Sequence, residues 1–423
     1  MEEAIIDNIR ASASAIIILL LIGAIAGSWM VSGVVPTMIY YGLKILHPSF
    51  FLVASCAICA GVSLMTGSSW TTIATIGVAL MGIGQAMGFP EGWIAGAIIS
   101  GAYFGDKISL LSDTTVLASS TVGVPIFTHI RYMLYTTVPS FVIALAVFVI
   151  AGLTLDHTGG THAGMYADSL RGTFRITPWL LAVPVATGVL IVRKLPAIVT
   201  LFCAAVFACI AMLLAQPELV AKVAGVGGLD FMSGFKGVLM SCFGPTAIPT
   251  GSPQLDELVA TRGMAGMLNT VWLIICAMCF GGVMTGSGML GALTSVFLRF
   301  VRRAFSAVAS TVGAGIFFNL CTADQYISII LSGRLFRELY AERGFEPRLL
   351  SRSVEDSATV CSVLVPWNSC GMTQATVLGV STFVYMPYCI FNIVSPLMSL
   401  TVAAVGWRIK KAAGTAAMYL IHI

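Results

Sequence analysis

Charged side chains are scarce in this sequence of 423 residues, of which only 9% are Asp, Glu, Lys or Arg. An ordinary soluble domain carries about 25% of such residues, whereas hydrophobic residues make up 58% of this chain. A soluble globular domain and a disordered chain are therefore both excluded. With 22 basic and 18 acidic residues, the chain also lacks the strongly basic balance that nucleic-acid binding requires. The composition predicts a polytopic membrane protein.

The short motifs of common hydrolases and nucleotide-binding enzymes are also missing. The sequence contains no HExxH, no GxSxG and no glycine-rich phosphate loop. Two CxxC pairs, Cys56 with Cys59 and Cys276 with Cys279, lie in apolar runs without a nearby histidine. That setting is typical of buried helix residues and not of a zinc site. We therefore expect no enzymatic activity, no cofactor and no resident metal.

Acidic residues inside the apolar sequence mark the candidate functional segments. The stretch ISGAYFGDKISLLSDTTVLASS (99–120) places Asp106 and Asp113 among small and hydroxylated residues. A second stretch, SRSVEDSATVCSVLVPWNSCG (351–371), contains Glu355 and Asp356. A charge at membrane depth costs at least ~2.5–3.5 kcal/mol, so an acid in such a position is a functional-site hypothesis.

Polar insertions interrupt the apolar runs at similar places in two halves of the chain. The segments TGSSWTT (66–72) and NLCTADQY (319–326) each separate two apolar runs, and one of the acidic stretches follows each of them. Unwound backbone at membrane depth is tolerated only where it lines a cavity or is buried in protein. We expect an all-α polytopic membrane protein of about 10–11 transmembrane helices, with two inverted-repeat halves containing broken or re-entrant helices.

The same pattern sets the expected boundaries of the two halves. The first half spans 1–215 with breaks near 67–72 and 105–115, and a connecting region follows over 216–262. The second half spans 263–423 with breaks near 319–326 and 355–369. In this interpretation 105–115 pairs with the acidic segment that starts at 355. The arginine-rich segment 334–352 is expected on the cytoplasmic side by the positive-inside rule.

Carboxylates, hydroxyls and freed carbonyls are hard oxygen donors, which bind a hard cation in preference to a thiolate-loving metal. Sodium and the proton both fit, and they compete for the same carboxylate. The predicted ion-binding residues are the acids and neighbouring hydroxyls, namely Asp106, Asp113, Thr114, Thr115, Asp324, Glu355, Asp356 and Thr359. The predicted pathway or helix-break residues are Ser68, Ser69, Trp70, Asn319, Thr322, Trp367 and Asn368.

Structural ion pairs are the competing interpretation for two of the acids. Asp106 adjoins Lys107, and Glu355 lies one helical turn from Arg352, so each acid could pair at a membrane boundary. The stronger ion-binding candidates, with no adjacent basic residue in the sequence, are Asp113, Asp324 and Asp356.

Three segments resemble the NhaC family of bacterial Na+/H+ antiporters: GSSWTTIATIGVALMGIG, AGAIISGAYFGDKISLLSDTT and EDSATVCSVLVPWNSCG. The resemblance implies a secondary active transporter that exchanges Na+ for H+ in the bacterial cytoplasmic (inner) membrane. Its partners would be Na+, H+ and the lipid bilayer, and we also expect a homodimer. One family motif would contain Asp106, Asp113, Thr114 and Thr115. The other would contain Glu355, Asp356 and Thr359.

A solute exchanger is the alternative, because relatives of that family exchange organic acids such as malate and lactate, or amino acids. A Na+- or H+-coupled exchanger of this kind needs a basic group to hold the substrate carboxylate. Lys107 or Arg352 could supply it.

Overall fold

The structure is a computed structural model that describes residues 1–155, 161–193, 195–228, 230–250, 256, 259–289, 292, 296–298, 301 and 303–409. Within these residues every named secondary-structure element is an α-helix or a short 3-10 or π turn. Helices satisfy their own backbone hydrogen bonds, which a chain in lipid requires. The predicted all-α class is confirmed.

The helices fall into a longer first group and a shorter second group. The first group is α1 (Glu2–Ala11), α2 (Ala13–Val31), α3 (Val34–Ile45), α4 (Phe51–Thr66), α5 (Ser69–Thr72 and Val78–Ala86, joined by the π turn Ile73–Gly77), α6 (Glu91–Ile108), α7 (Asp113–Val122), α8 (Ile126–Thr154), α9 (Thr161–Thr173), α10 (Ala182–Val192), α11 (Ala197–Ala215), α12 (Pro217–Ala224) and α13 (Phe231–Phe243). The second group is α14 (Leu268–Gly286), α15 (Ala304–Thr322), α16 (Gln325–Glu342), α17 (Pro347–Val354, continued by the π turn Glu355–Thr359), α18 (Ser369–Leu378), α19 (Thr382–Tyr385) and α20 (Ile390–Val405).

Several of these helices are long and apolar enough to cross a membrane. Six pass by length and composition, namely Ala13–Val31, Pro48–Thr66, Ile126–Thr154, Ala197–Ala215, Ala265–Gly286 and Ala304–Thr322. Three bent pairs raise the number to nine if each pair is one span; one is α6 with α7, bent by 46°. These numbers refer to the described part of the chain, and the expected total of about 10–11 spans stays a prediction.

The segment around the first polar insertion folds back on itself, and α4 with α5 is called hairpin 1. Its tip is Gly67 and Ser68. Gly67 has a φ of +67°, which glycine adopts without strain, and Ser68 caps α5 by accepting the Thr71 N–H at 3.2 Å. At the open end, the rings of Phe51 and Phe89 stack 5.4 Å apart. The hairpin therefore enters and leaves at one face, as a re-entrant segment does.

Helices α15 and α16 form hairpin 2 in the same way, with Ala323 and Asp324 at its tip. Ala323 has a φ of +58°, and the Asp324 carboxylate accepts two N–H groups of the first turn of α16, at 2.9 and 3.1 Å. At the open end, the hydroxyls of Thr311 and Tyr340 lie 2.9 Å apart. Two capped hairpin tips thus replace the unwound segments expected from the sequence.

The two hairpins lie at opposite ends of α8. Gly152, near the C-terminus of α8, lies against the Ser49 carbonyl at the base of hairpin 1. Near the N-terminus of α8, the Tyr132 ring lies 4.9 Å from the guanidinium of Arg348, just beyond the base of hairpin 2. A helix rises 1.5 Å per residue, so these contacts are about 30 Å apart. The bases of the two hairpins therefore lie at opposite ends of the helix bundle, and both tips lie between them.

A constant offset of 256 positions (68 to 324) relates the two hairpins and the helices that follow them. It holds at positions of left-handed backbone, in the pairs Gly67 and Ala323, Gly88 and Gly344, and Gly123 and Gly379. It also holds for side-chain bonds, since Ser63 Oγ donates to the Ala102 carbonyl at 2.6 Å and Asn319 Nδ2 donates to that of Ala358 at 2.8 Å. We call 51–124 repeat 1 and 307–380 repeat 2.

This register corrects the pairing expected from the sequence. Segment 105–115 corresponds to 361–371, so Glu355 and Asp356 correspond to Ile99 and Ser100, not to the acids of the first motif. Helix α6 also extends further than expected, to Ile108. The interruption between α6 and α7 is therefore confined to residues 109–112.

Small residues allow close packing around the first break. Gly101 and Gly105 of α6 lie against the backbone of α4, at the carbonyls of Cys56 and Ala60. Side chains at these two positions would collide with α4, so the glycines permit helix contact at backbone distance. In the connecting region, α13 packs on α2, where Gly27 faces the Ser241 carbonyl.

Candidate functional site

Both hairpin tips border one cavity of about 560 Å³. Its wall contains Thr66, Gly67, Ser68, Trp70, Thr71, Asp106, Leu111, Asp113, Thr114, Asp324, Gln325 and Tyr326 from the repeats, and Ser14, Ala15, Ile18, Ile191, Leu195, Pro196, Ala197 and Thr200 from α2 and the α10–α11 region. Three carboxylates from two repeats are thus brought to one space. None of these described wall residues is basic.

Asp106 is held by the N-terminus of the second arm of hairpin 1. It lies in the last turn of α6 and is buried, and its Oδ2 accepts the Ser69 N–H at 3.2 Å and the Ser69 hydroxyl at 2.7 Å. A helix N-terminus presents free N–H groups and a partial positive charge, which stabilise a nearby carboxylate. These bonds fix one carboxylate oxygen beside the cavity.

Asp324 is held in the same manner at the tip of hairpin 2. Its Oδ1 caps α16, and its Oδ2 accepts the Ser369 hydroxyl at 3.1 Å. Asp106 and Asp324 are not counterparts in the repeats. The counterpart of Asp106 is Ser362, whose hydroxyl donates to Gln325 at 3.3 Å, and the counterpart of Asp324 is Ser68. Each repeat contributes one acid and one serine, in exchanged positions.

Asp113 differs from these two acids because it is exposed and accepts no hydrogen bond within the described chain. It is the first residue of α7, which Ser112 caps. Thr114 lies beside it on the cavity wall, 2.9 Å from the Ser112 hydroxyl. Thr115 instead donates to the Lys107 carbonyl at 3.0 Å, so it fastens the break and does not line the cavity.

A second group of charged residues lies away from the cavity wall, fully buried. The Lys107 ammonium donates to the Asp356 carboxylate, which connects repeat 1 to the π turn of repeat 2. Ser395 lies 2.9 Å from the ammonium, and Thr136 donates to Asp356 at 3.2 Å. We call Lys107, Arg352, Glu355 and Asp356 the buried charge cluster.

These contacts exclude both ion pairs of the competing interpretation. Lys107 pairs with Asp356 and not with its neighbour Asp106. Arg352 approaches Asp356 at 4.0 Å and lies over the Tyr132 ring at 4.7 Å, and it makes no ion pair with Glu355. Asp356, expected to be without a basic partner, therefore lies between two cations.

Glu355 makes neither an ion pair nor a hydrogen bond within the described part of the chain. Its side chain is inaccessible to solvent, and neither carboxyl oxygen has a hydrogen-bond partner among the described residues. The Thr359 hydroxyl, one turn further along, is likewise buried and unpartnered. Neither residue lies on the cavity wall.

The remaining predicted residues divide between the cavity and the architecture around it. Ser68 and Trp70 line the cavity, and Ser69 reaches it through Asp106. The others stabilise the break in repeat 2. Asn368 caps α18 and donates to Asn319 at 3.2 Å, and Trp367 donates to the Leu320 carbonyl at 2.8 Å. Thr322 bonds within the tip of hairpin 2.

Sequence inspection missed several contributors. Ser14 and Thr200 reach the cavity from membrane helices outside the repeats, and nothing in their local sequence distinguishes them. Thr136 and Ser395, which both donate to Asp356 Oδ1, lie in ordinary apolar helices. The signal for Lys107 was present, since a lysine inside an apolar segment needs a counter-charge. Among the described residues, no group of three His, Cys, Asp or Glu could hold a metal ion.

Comparison with known proteins decides the family. Residues 101–407 match the model of the Na+/H+ antiporter family. The chain belongs to this family. It is 33% identical to the Na+/H+ antiporter NhaC of Bacillus subtilis over 96% of this chain and 87% of that protein. It is 34% identical to the NhaC of Alkalihalophilus pseudofirmus over 97% and 86%. A third relative, the malate-2H+/Na+-lactate antiporter of Bacillus subtilis, is 35% identical over 92% and 80%.

The family resemblance expected from the sequence is thereby confirmed. Its known relatives are antiporters and not enzymes. Together with the apolar helices, the family makes this chain a multi-pass membrane protein of the secondary transporter class.

Proposed function

We propose that the protein exchanges Na+ for H+ across the bacterial cytoplasmic membrane and that Asp106, Asp113 and Asp324 bind the ions. The observation that carries the proposal is the cavity at the two hairpin tips, where acids of both repeats face one space without a described basic residue. Carboxylates, hydroxyls and carbonyls suit Na+ and do not suit an anion. The names of two relatives, Na+/H+ antiporter NhaC, agree with this chemistry.

Competition between the two ions follows from the three neighbouring acids. Like charges close together in a site of low dielectric repel one another, so the empty, fully ionised site is unfavourable. Either Na+ or protons relieve the repulsion, and the binding of one ion displaces the other. A site that opens to one side of the membrane at a time and binds either ion, but not both, exchanges the two ions.

The orientation of the cavity follows from the course of α11. Gln216, which directly follows α11, contacts Gly33 at the start of α3. Near the other end of α3, Gly42 contacts Ile83, which is close to the base of hairpin 1. We therefore place the start of α11, which borders the cavity, toward the opposite membrane face. The base of hairpin 2 lies at that face. The arginine-rich segment 334–352 lies there, and the positive-inside rule makes that face cytoplasmic. The cavity thus opens to the cytoplasm, where the exported Na+ would enter.

Exchange of a small organic acid is the second candidate, because one relative is named a malate-2H+/Na+-lactate antiporter. Its basic group would be Lys107 or Arg352. Both side chains are fully buried beside Asp356, outside the cavity wall, and this placement favours Na+/H+ exchange. Amino acids would meet the same obstacle through their carboxylate.

Proton flux in proteoliposomes containing the full chain tests the proposal. The lumen holds a pH-sensitive dye and starts acidic, and Na+, K+, malate, lactate or an amino acid is added outside, one at a time. We expect the lumen to become alkaline on addition of Na+ alone. A response only to an organic solute would replace the proposal by the second candidate. The expected homodimer also stays a proposal, which the mass of the protein in detergent tests.

A further inference from the structure

The contact between hairpin tip and helix break differs between the two repeats. In repeat 2 the first residue of α18, the buried Ser369, bonds the break directly to Ala323 and Asp324 at the tip. Its N–H donates to the Ala323 carbonyl at 2.8 Å, and its hydroxyl donates to the Asp324 carboxylate at 3.1 Å. Two donors of one serine thus close the tip of hairpin 2.

The same position in repeat 1 is occupied by Asp113, which makes neither of these bonds to the tip among the described residues, although Leu111 of the same break packs against Gly67. The Asp113 N–H makes no bond to the Gly67 carbonyl, the counterpart of Ala323, within the described residues. The side chain is exposed, and the cavity lies between it and the tip, at Gly67 and Ser68. An ionised Asp113 offers only acceptors to a tip that also presents a carbonyl oxygen.

A cation can satisfy acceptors on both sides at once, as the donors of Ser369 satisfy the acceptors in repeat 2. We propose that Na+ bound between the Asp113 carboxylate and the tip of hairpin 1 closes this tip, so that Asp113 is an ion-dependent latch. The inference rests on the proposed function and assigns one of its three acids a separate role.

A proton can close the same latch by a different bond. A protonated Asp113 has an O–H donor, which can take the place of the Ser369 hydroxyl. The titratable groups that face Asp113 are Asp106 of α6 and Asp324 and Tyr326 of hairpin 2. Only a tip loaded with Na+ or H+ closes, and the empty tip stays open. Because the empty site cannot close, one ion cannot cross without exchange for the other.

Hydrogen exchange of the two tips, measured by mass spectrometry on the purified full chain, tests the latch. The tip of hairpin 2 is an internal reference in every sample, so the ratio of the two rates cancels the intrinsic effect of pH. At alkaline pH, replacing choline by Na+ should slow exchange over 66–72 about tenfold and change it much less over 322–326, because Ser369 already holds the Asp324 carboxylate there. Acidification without Na+ should lower the ratio by a similar factor.

Exchanging the two latch residues makes the test reciprocal. Asp113→Ser should close the tip of hairpin 1 with or without Na+, whereas Asp113→Ala should leave it open in both conditions. Ser369→Asp should make the tip of hairpin 2 respond to Na+, and the double variant Asp113→Ser with Ser369→Asp should move the whole Na+ response to hairpin 2. Ser369→Thr, which keeps the hydroxyl, should behave as the wild type.

The outcomes separate this inference from the proposed function. The latch is refuted if Asp113→Ser and Asp113→Ala show the same exchange rates at the tip of hairpin 1, or if Na+ leaves the wild-type ratio unchanged. The proposed function still stands in either case if proteoliposomes exchange Na+ for H+. If the wild-type tip closes with Na+ but no Na+-driven proton flux occurs, the latch stands and the proposed function fails.

Discussion

Two acidic groups in this protein look alike in sequence but have opposite surroundings. Asp106, Asp113 and Asp324 face a cavity. Asp106 and Asp324 accept N–H groups at helix N-termini, and Asp113 accepts no hydrogen bond from a described residue. Glu355 and Asp356 are fully buried on a π turn, beside Lys107 and Arg352. The first group has carboxylate oxygens that an ion from solution can reach. The second group already contains its own cations.

On the proposed function, the difference separates ion binding from structural cohesion. An intramembrane acid is a good functional candidate, but a buried acid with a protein counter-charge can serve to join two parts of the fold. Lys107 belongs to repeat 1 and Asp356 to repeat 2, so their bond crosses the repeat boundary. Lys107 directly follows Asp106 in the chain, yet the two side chains have different partners, Asp356 and Ser69.

The largest effect on exchange is expected for Asp106→Asn. The amide keeps the size of the side chain but removes the charge that attracts Na+ and the site that releases a proton. We expect Na+-driven proton flux in proteoliposomes to fall by about a hundredfold or more, as for loss of an essential acid–base group. Glu218→Gln is the matched control, since Glu218 is exposed and pairs with Arg175 outside the cavity. Normal flux in Asp106→Asn would remove this acid from the site.

The largest effect on stability is expected for Asp356→Ala. This change strands the buried Lys107 ammonium and Arg352 guanidinium, and breaking a buried pair costs about 3–5 kcal/mol. The thermal unfolding midpoint in detergent should fall accordingly. The double variant Lys107→Met with Asp356→Leu should recover much of it, because apolar residues of similar size can replace a buried pair. An unfolding midpoint of Asp356→Ala equal to the wild type would show that the cluster does not hold the repeats together.

Lys107→Ala alone would be a poor test of organic-acid binding, because this change also breaks the buried pair with Asp356. It leaves Asp356 without its main partner, so lost transport could reflect lost stability.

The smallest effect is expected for Glu355→Gln. Neither carboxyl oxygen of Glu355 is hydrogen bonded within the described chain, so the isosteric amide forfeits no bond. We expect a change in unfolding free energy within about 1 kcal/mol and a change in Na+ affinity within about threefold. A loss of Na+ binding in this variant would move the ion site from the cavity to the buried charge cluster.

Much of the fold was predictable from composition and from the polar insertions. The all-helical membrane class and the interruptions near residues 67 and 323 follow from local signals: apolar length, glycine, and clustered hydroxyls. The family follows from the resemblance of three sequence segments. The register of the repeats did not follow, because the acids of the two halves occupy different counterpart positions. Matching the acidic segments paired 105–115 with the segment that starts at Glu355, whereas the backbone pairs Asp106 with Ser362.

The types of residue at the candidate site could be predicted from the sequence. Which of the predicted residues line the cavity could be predicted only in part. Asp106, Asp113, Thr114 and Asp324 do meet at one cavity with Ser68 and Trp70. Partner choice could not be inferred, because Lys107 finds its counter-charge far away in sequence. Long-range contacts of this kind depend on how the hairpins are arranged in the fold. The residues next to Lys107 in the sequence therefore do not indicate its partner.

Equilibrium binding of radioactive Na+ to the purified protein tests the central claim most directly, with Asp106→Asn and Glu355→Gln compared at two pH values. We predict that the wild type and Glu355→Gln bind Na+, more weakly at the lower pH because protons compete, and that Asp106→Asn does not. Binding that survives in Asp106→Asn and is lost in Glu355→Gln would contradict the account, since the ion would then occupy the buried charge cluster.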